Sequence, residues 1–352
     1  SVLMERKIPI NNIYHMLCYA WDVLKEKDIV KVEIPDNYSM LEFFAKILNS
    51  GTNYLIRKGL DRGYIEENDE LACIKGKIDF SNSLRKLSFY NAKAYCTYDN
   101  FTYDVLHNRV LKSTFNNILK IKDLDKELRK EITKTSRYFI DVGDTEINRK
   151  VIQSIKLNRN NHIYRLLLEI CLLTKENLAI NEKDGEVYFK DFVEDPRQMS
   201  TLYEKFIFNY YKKNLPIKKP KSKISVKRDE IQWSLDNPVD EETKRYLPKM
   251  KTDVSIYIND RKIILDAKYY QDPLKVNYEK EELYSSNLYQ LFAYIQNSKD
   301  NKNIEGILLY PTITKDLDLE YVIKGNTIKI NTINLGLEDW RLIEESLDKI
   351  LG

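Results

Sequence analysis

The sequence predicts a two-domain mixed α/β protein, on three observations. At roughly 150 residues per domain, the 352 residues leave room for two or three domains. Helical and strand-like signals alternate through the second half, the pattern of helices packed on a sheet. A polar stretch without periodicity at residues 141–155 suggests a boundary, giving a domain at 1–152 and another at 153–352.

Each element follows from its own pattern. Residues 8–21 set Ile13, Leu17 and Ala20 at helical spacing, a core helix. Ser39-Met40-Leu41-Glu42 is a capping-box pattern followed by Phe44, Ala45 and Leu48 on one face. Gly51 reads as a break, with a second helix through Tyr54 and Leu55. Residues 71–80 and 93–98 read as strands, and 106–119 as helix. Residues 124–139 make a charged amphipathic helix with a solvated face. A long apolar helix at 163–178 opens the second half, and residues 199–211 form another helix.

Composition narrows the chemistry. Apolar residues are 43%, enough for a core and too many for a disordered chain. Lys plus Arg is 57 against 54 Asp plus Glu, net +3, which excludes a polyanion-binding surface spread over the whole protein but not a local one. No apolar run reaches bilayer length and no signal-peptide pattern opens the sequence, so a cytoplasmic protein with no membrane partner is expected. Cys18, Cys73, Cys96 and Cys171 lie far apart and read as reduced core thiols. His15, His107 and His162 form no HExxH, and there is no GxSxG or phosphate loop. A nucleotide triphosphate, if one is used, is bound by another chain.

Residues 251–270, KTDVSIYINDRKIILDAKYY, carry the chemistry. Two β-type runs flank Asn259-Asp260, residues that tolerate the positive φ of a tight hairpin turn. A turn centred there sets Ile258 against Arg261, Ile256 against Ile263 and Val254 against Leu265. The same register puts Asp253 opposite Asp266, with Cβ atoms about 4.5–5.5 Å apart. One face is then apolar, while the other carries Asp253, Ser255, Tyr257, Lys262, Asp266 and Lys268. Lys268 lies about 6.6 Å beyond Asp266 on that face. Two carboxylates so close repel unless a divalent cation joins them, and an ammonium beside it can orient water and screen phosphoryl charge. This is the logic of a metal-dependent phosphodiesterase. The plainer reading is the wet side of a hairpin.

Three further groups have two readings each. Glu204 is a third acidic ligand, or it closes a capping box from Thr201. Gln290 and Tyr294, an i, i+4 pair, hold a phosphate or the attacking water, or are an ordinary exposed pair. Residues 212–228 hold Lys212, Lys213, Lys218, Lys219, Lys221, Lys223, Lys227 and Arg228 and no acid. They follow a DNA backbone, or form a solvated loop.

The segments IPINNIYHMLCYAW, IKGKIDFSNSLRK, DVLHNRVLKST, MSTLYEKF, LPKMKTDVSI, ILDAKYY, SSNLYQLFAYI, ILLYP and INLGLEDW, in that order, resemble the McrC family, nuclease subunits of the McrBC modification-dependent restriction systems. The resemblance implies a carboxy-terminal PD-(D/E)xK restriction-endonuclease-like core with Asp253, Asp266 and Lys268 as its signature. Mg²⁺ would be held by both carboxylates and the Ala267 carbonyl. It implies an amino-terminal mixed α/β stalk that enters a hexameric McrB-like AAA+ GTPase, stimulates its GTP hydrolysis, and joins it in cutting methylated double-stranded DNA. GTP would be bound by that partner. Lys75, Lys77 and Arg109 lie in matching motifs as partner-contacting or structural residues. Pro248 stands five residues before Asp253, a departure from the adjacent proline of the signature, and the family does not fix Glu at 204. The alternatives are a non-cutting activator that bridges DNA to the motor, or a nuclease of a related system aimed at unmethylated sequence.

Overall fold

The computed structural model describes residues 8–35, 37–181, 185–269, 274–277, 280–298, 304–313 and 316–352. The chain forms two compact units, Ser1–Asp22 with Phe192–Gly352, and Val23–Asp191.

The first unit is built on a six-stranded mixed sheet. Its elements are α1 (Ile10–Ala20), α2 (Pro196–Lys218), β1 (Ile224–Lys227), β2 (Val254–Ile258), β3 (Arg261–Ala267), α3 (Ser285–Asn297), β4 (Ile304–Thr312), β5 (Asp318–Ile323), β6 (Asn326–Asn334) and α4 (Trp340–Leu351). Strand order is β5-β6-β4-β3-β2-β1. The β3–β4 and β4–β6 pairs are parallel and the rest antiparallel. The β2–β3 hairpin has the expected register, with Ile258 against Arg261, Ile256 against Ile263 and Val254 against Leu265, turning at Asn259 with φ 53°.

Both faces of β3 are covered. Val254, Ile256, Ile263 and Leu265 are fully buried, and so is Ile264 on the opposite face. Ile264 packs with Leu291, Tyr294 and Ile295 of α3 and with Leu308 and Ile330 of the neighbouring strands. Four such aliphatic side chains stabilise by about 6–12 kcal/mol, more than the several kcal/mol it costs to hold one ion away from water. The sheet can therefore carry a buried carboxylate in this strand.

The second unit packs helices Met40–Lys58, Leu106–Leu119, Lys126–Ser136 and Tyr164–Glu176 together, and carries a three-stranded antiparallel sheet with Ala94–Thr102 between Gly63–Leu71 and Lys77–Ile78. The expected divide at 152/153 is replaced by divides at 22/23 and 191/192. The apolar helix Tyr164–Glu176, with Leu166, Leu167 and Ile170 fully buried, packs on Leu106–Leu119 and Met40–Lys58, while α1 packs on α2.

Other expectations change for local reasons. The Ser39 capping box forms, but Gly51 does not break the helix. A Cβ there would stand 2.5 Å from Leu167 Cδ2, so Gly51 permits close helix packing. Of the strand expected at 71–80, Leu71 ends the strand Gly63–Leu71 and only Lys77–Ile78 forms another, because Gly76 turns the chain at φ +69° and Asp79 caps the helix Phe80–Arg85, accepting from Asn82 N at 3.0 Å. Cys18, Cys96 and Cys171 are buried, but Cys73 is exposed. No helix among the described residues is long and apolar enough to cross a membrane.

Candidate active site

The ends of β2 and β3 bring Asp253, Asp266 and Lys268 together. Asp266 is 1% exposed, and the face expected to be wet lies under α3. Asp253 Oδ2 accepts from the Ala267 backbone N–H at 2.9 Å, which ties the two strand ends together. Lys268 Nζ is 3.0 Å from Asp266 Oδ2, but that oxygen accepts no well-aligned hydrogen bond among the described residues. Burial first, then the charge of Asp253, pushes the Asp266 carboxyl up to about 7, against the opposing pull of Lys268. A buried and a half-buried carboxyl against a single ammonium leave an excess of negative charge at this centre.

Helix α3 orients the lysine. Lys268 Nζ donates to Gln290 Oε1 at 2.8 Å, Gln290 Nε2 donates to Tyr294 OH at 2.8 Å, and Tyr294 OH donates to the Lys251 carbonyl at 3.1 Å. The i, i+4 pair thus bridges the lysine to the backbone two residues before Asp253. It is half-buried to buried rather than an exposed pair.

Glu204 is not a helix cap. α2 starts at Pro196, with Asp195 capping through Arg197 N at 2.9 Å, so Thr201 and Glu204 are interior. The Asp-Pro pair is the sequence signal for that start. Half-buried Glu204 accepts from Ser200 Oγ at 3.4 Å. Burial and then Asp253 raise its pKa, with Arg228 and Lys268 opposing, so its charge belongs to the same electrostatic centre.

The basic stretch does not act as one loop. Lys212, Lys213 and Lys218 are helical. Lys213 pairs with Asp22 at 3.4 Å, Lys218 with Asp348, and Lys219 donates to the Gly352 carbonyl. Lys227 pairs with Asp229 at 3.4 Å. Lys212 and Arg228 both approach Phe208, and Lys221 and Lys223 are exposed. In the other unit Lys75 and Lys77 are exposed, Lys75 lying 4.0 Å from the Tyr98 ring centroid. Arg109 forms a two-bond fork with Asp104, both at 2.7 Å.

Sequence reasoning missed the supports of Asp253. Thr252, 1% exposed, donates its backbone N–H to the Asp229 carbonyl at 3.0 Å and accepts from Asp229 N at 2.8 Å through Oγ1. Asp229 Oδ2 accepts from Tyr257 OH at 2.6 Å and lies 3.4 Å from the buried Lys262 ammonium. Burial works against the ionised Asp229, but Tyr257, Ser255 and the lysines hold its pKa low. The cross-strand pairing of Tyr257 with Lys262 was a readable signal, but Asp229 lies too far along the chain to be placed beside them.

Fold and site together define a mixed α/β protein whose central sheet carries a two-carboxylate, one-lysine centre, an arrangement that can serve metal-assisted phosphodiester chemistry. The chain belongs to the McrBC 5-methylcytosine restriction system component family, whose model matches residues 7–311. It is 29% identical over 342 residues to the Type IV methyl-directed restriction enzyme EcoKMcrBC of Escherichia coli strain K12, covering 97% of this chain and 96% of that one. Its fold is similar to a chain in the half-complex from a tetradecameric assembly of Thermococcus gammatolerans McrB AAA+ hexamers with bound McrC. There the TM-score is 0.59 at 18% identity, over 97% of this chain and 76% of that chain.

Proposed function

We propose that the sheet-bearing unit is a PD-(D/E)xK nuclease core, and that the chain is the Mg²⁺-dependent DNA-cutting subunit of a GTP-dependent restriction complex acting on DNA with 5-methylcytosine. The observation that carries this reading is the convergence of Asp253, Asp266 and Lys268.

The donor set fits a hard divalent cation. Asp266 Oδ2 is buried without a well-aligned hydrogen bond among the described residues, and two carboxylates face the single Lys268 ammonium, an excess of charge that a divalent cation relieves. No three His, Cys, Asp or Glu side chains form a preformed cage among the described residues. Mg²⁺ keeps several waters and takes one or two protein carboxylates, so two suffice. Asp253, Asp266 and the Ala267 carbonyl would hold the ion, with Glu204 close by. Bound there, the cation would activate water and neutralise phosphoryl charge. Lys268 orients the attacking water and screens the developing negative charge, while Gln290 and Tyr294 fix the ammonium.

The AAA+ partner enters by analogy with the Thermococcus gammatolerans assembly, in which McrC is bound to McrB AAA+ hexamers. Unit Val23–Asp191 is the part proposed to engage it and to stimulate GTP hydrolysis. Exposed Tyr64, Ile74, Phe80, Leu84, Leu87 and Tyr90, beside Lys75 and Lys77, support that assignment. Arg109, held by Asp104, supports the stalk from within.

The test reconstitutes the chain with its AAA+ GTPase and compares Asp266→Ala and Lys268→Ala with the parent on methylated and unmethylated duplexes. Loss of cutting with normal assembly and stimulated GTP hydrolysis is expected. Full cutting by either variant refutes the site, and equal cutting of both duplexes refutes the methylation dependence.

A further inference from the structure

The basic residues of 212–228 sort into tied and untied sets. Lys213, Lys218, Lys219 and Lys227 are engaged with Asp22, Asp348, the Gly352 carbonyl and Asp229. Lys212 and Arg228 are exposed and form no ion pair with an acidic side chain among the described residues. Both instead approach one ring. Arg228 Cζ is 5.1 Å and Lys212 Nζ 5.6 Å from the Phe208 centroid. A cation resting on an aromatic face keeps its charge and is held in place, so less entropy is lost when it meets an anion.

The position of that ring matters. Glu204, Phe208 and Lys212 follow each other at four-residue steps on one face of α2, about 6 Å apart along the axis. The β1–β2 pairing of Lys227 with Ser255 puts Arg228 level with Val254, one residue from Asp253. Lys223 is also exposed, but its backbone pairs with Asn259 at the hairpin turn. That is six residues, or about 20 Å, up the ribbon from Asp253.

We infer that Lys212 and Arg228, seated on Phe208, each bind one of the successive backbone phosphates beside the scissile one and set the path of the cut DNA strand along α2. This rests on the nuclease reading. It singles out two of the eight basic residues and gives the strand a direction relative to the carboxylates.

The test measures binding of duplex DNA by the full chain with Ca²⁺ in place of Mg²⁺, across about 50–200 mM salt. Arg228→Gln and Lys212→Gln should each reduce the slope of log affinity against log salt by about 0.9, so that affinity falls roughly threefold less over that range. Arg228→Lys should keep the parental slope, which separates lost charge from lost folding. Lys223→Gln should leave the slope unchanged. Parental slopes for Arg228→Gln and Lys212→Gln, or an equal effect from Lys223→Gln, would overturn the inference. If Asp266→Ala still cuts while Arg228→Gln weakens binding, the nuclease assignment fails and the phosphate site stands.

Discussion

Lys268 Nζ lies 3.0 Å from Asp266 Oδ2, two residues away on the same strand face, and 2.8 Å from Gln290 Oε1 on the helix above. The amine is therefore aimed by two elements at once, the strand that carries the carboxylate and the helix that buries it.

Gln290→Ala should leave the lysine held from the strand and no longer from α3. A misplacement near 1 Å costs about a hundredfold in rate, so single-turnover cleavage should fall about tenfold to a hundredfold with thermal stability nearly kept. Tyr294→Phe keeps the ring and loses the bond to the Lys251 carbonyl and the one from Gln290 Nε2, each worth about 1 kcal/mol, but leaves Gln290 on the lysine. Its cleavage defect should be the smaller of the two.

Asp266 ties stability to pH. Its folded value, about 7, lies above the ordinary 3.8, so the metal-free folded chain binds the extra proton between those values. Stability should fall as pH rises through that window. Melting temperature measured without metal should decline from pH 4 to 7 for this reason, and Asp266→Asn should flatten the decline. Added Mg²⁺ should raise the melting temperature at pH 8 and have little effect at pH 4.

His107, in the other unit, has the opposite sign. It is buried, its Nε2 is 2.8 Å from Asp61 Oδ2, and burial outweighs that carboxylate to lower its pKa below 6.5. The unfolded chain then binds the extra proton, so this contribution is present above pH 6.5 and lost as pH falls below it. Chemical denaturation at pH 7.5 and 5.5 should show a loss in the parent that shrinks in His107→Gln.

Gly76→Ala tests the segment carrying the exposed apolar side chains. A Cβ there would meet the Thr97 carbonyl at 2.3 Å, at φ +69°. The strained backbone alone costs about 1–3 kcal/mol, so the pairing of Lys77–Ile78 should be lost. Limited proteolysis should show earlier cleavage within residues 72–93, and stimulation of partner GTP hydrolysis should drop. The Mg²⁺ binding proposed for Asp253 and Asp266 should not change.

Features that depend on neighbouring residues were legible before any folding. Alternation and the Asn259-Asp260 turn set the hairpin register through Val254 and Leu265, and with it the closeness of Asp253 to Asp266. Periodicity found the helix at 106–119, and the ordered motifs found the family. Features that need distant segments to meet emerged only on packing: Asp266 buried by α3, the relay from Lys268 to the Lys251 carbonyl, Gly51 under Leu167, and lysines tied to Asp22 and Asp348. Dihedral preference and side-chain alternation act over a few residues, whereas burial and charge pairing are properties of the packed chain, and a lysine reads the same in sequence whether its partner is a phosphate or an aspartate.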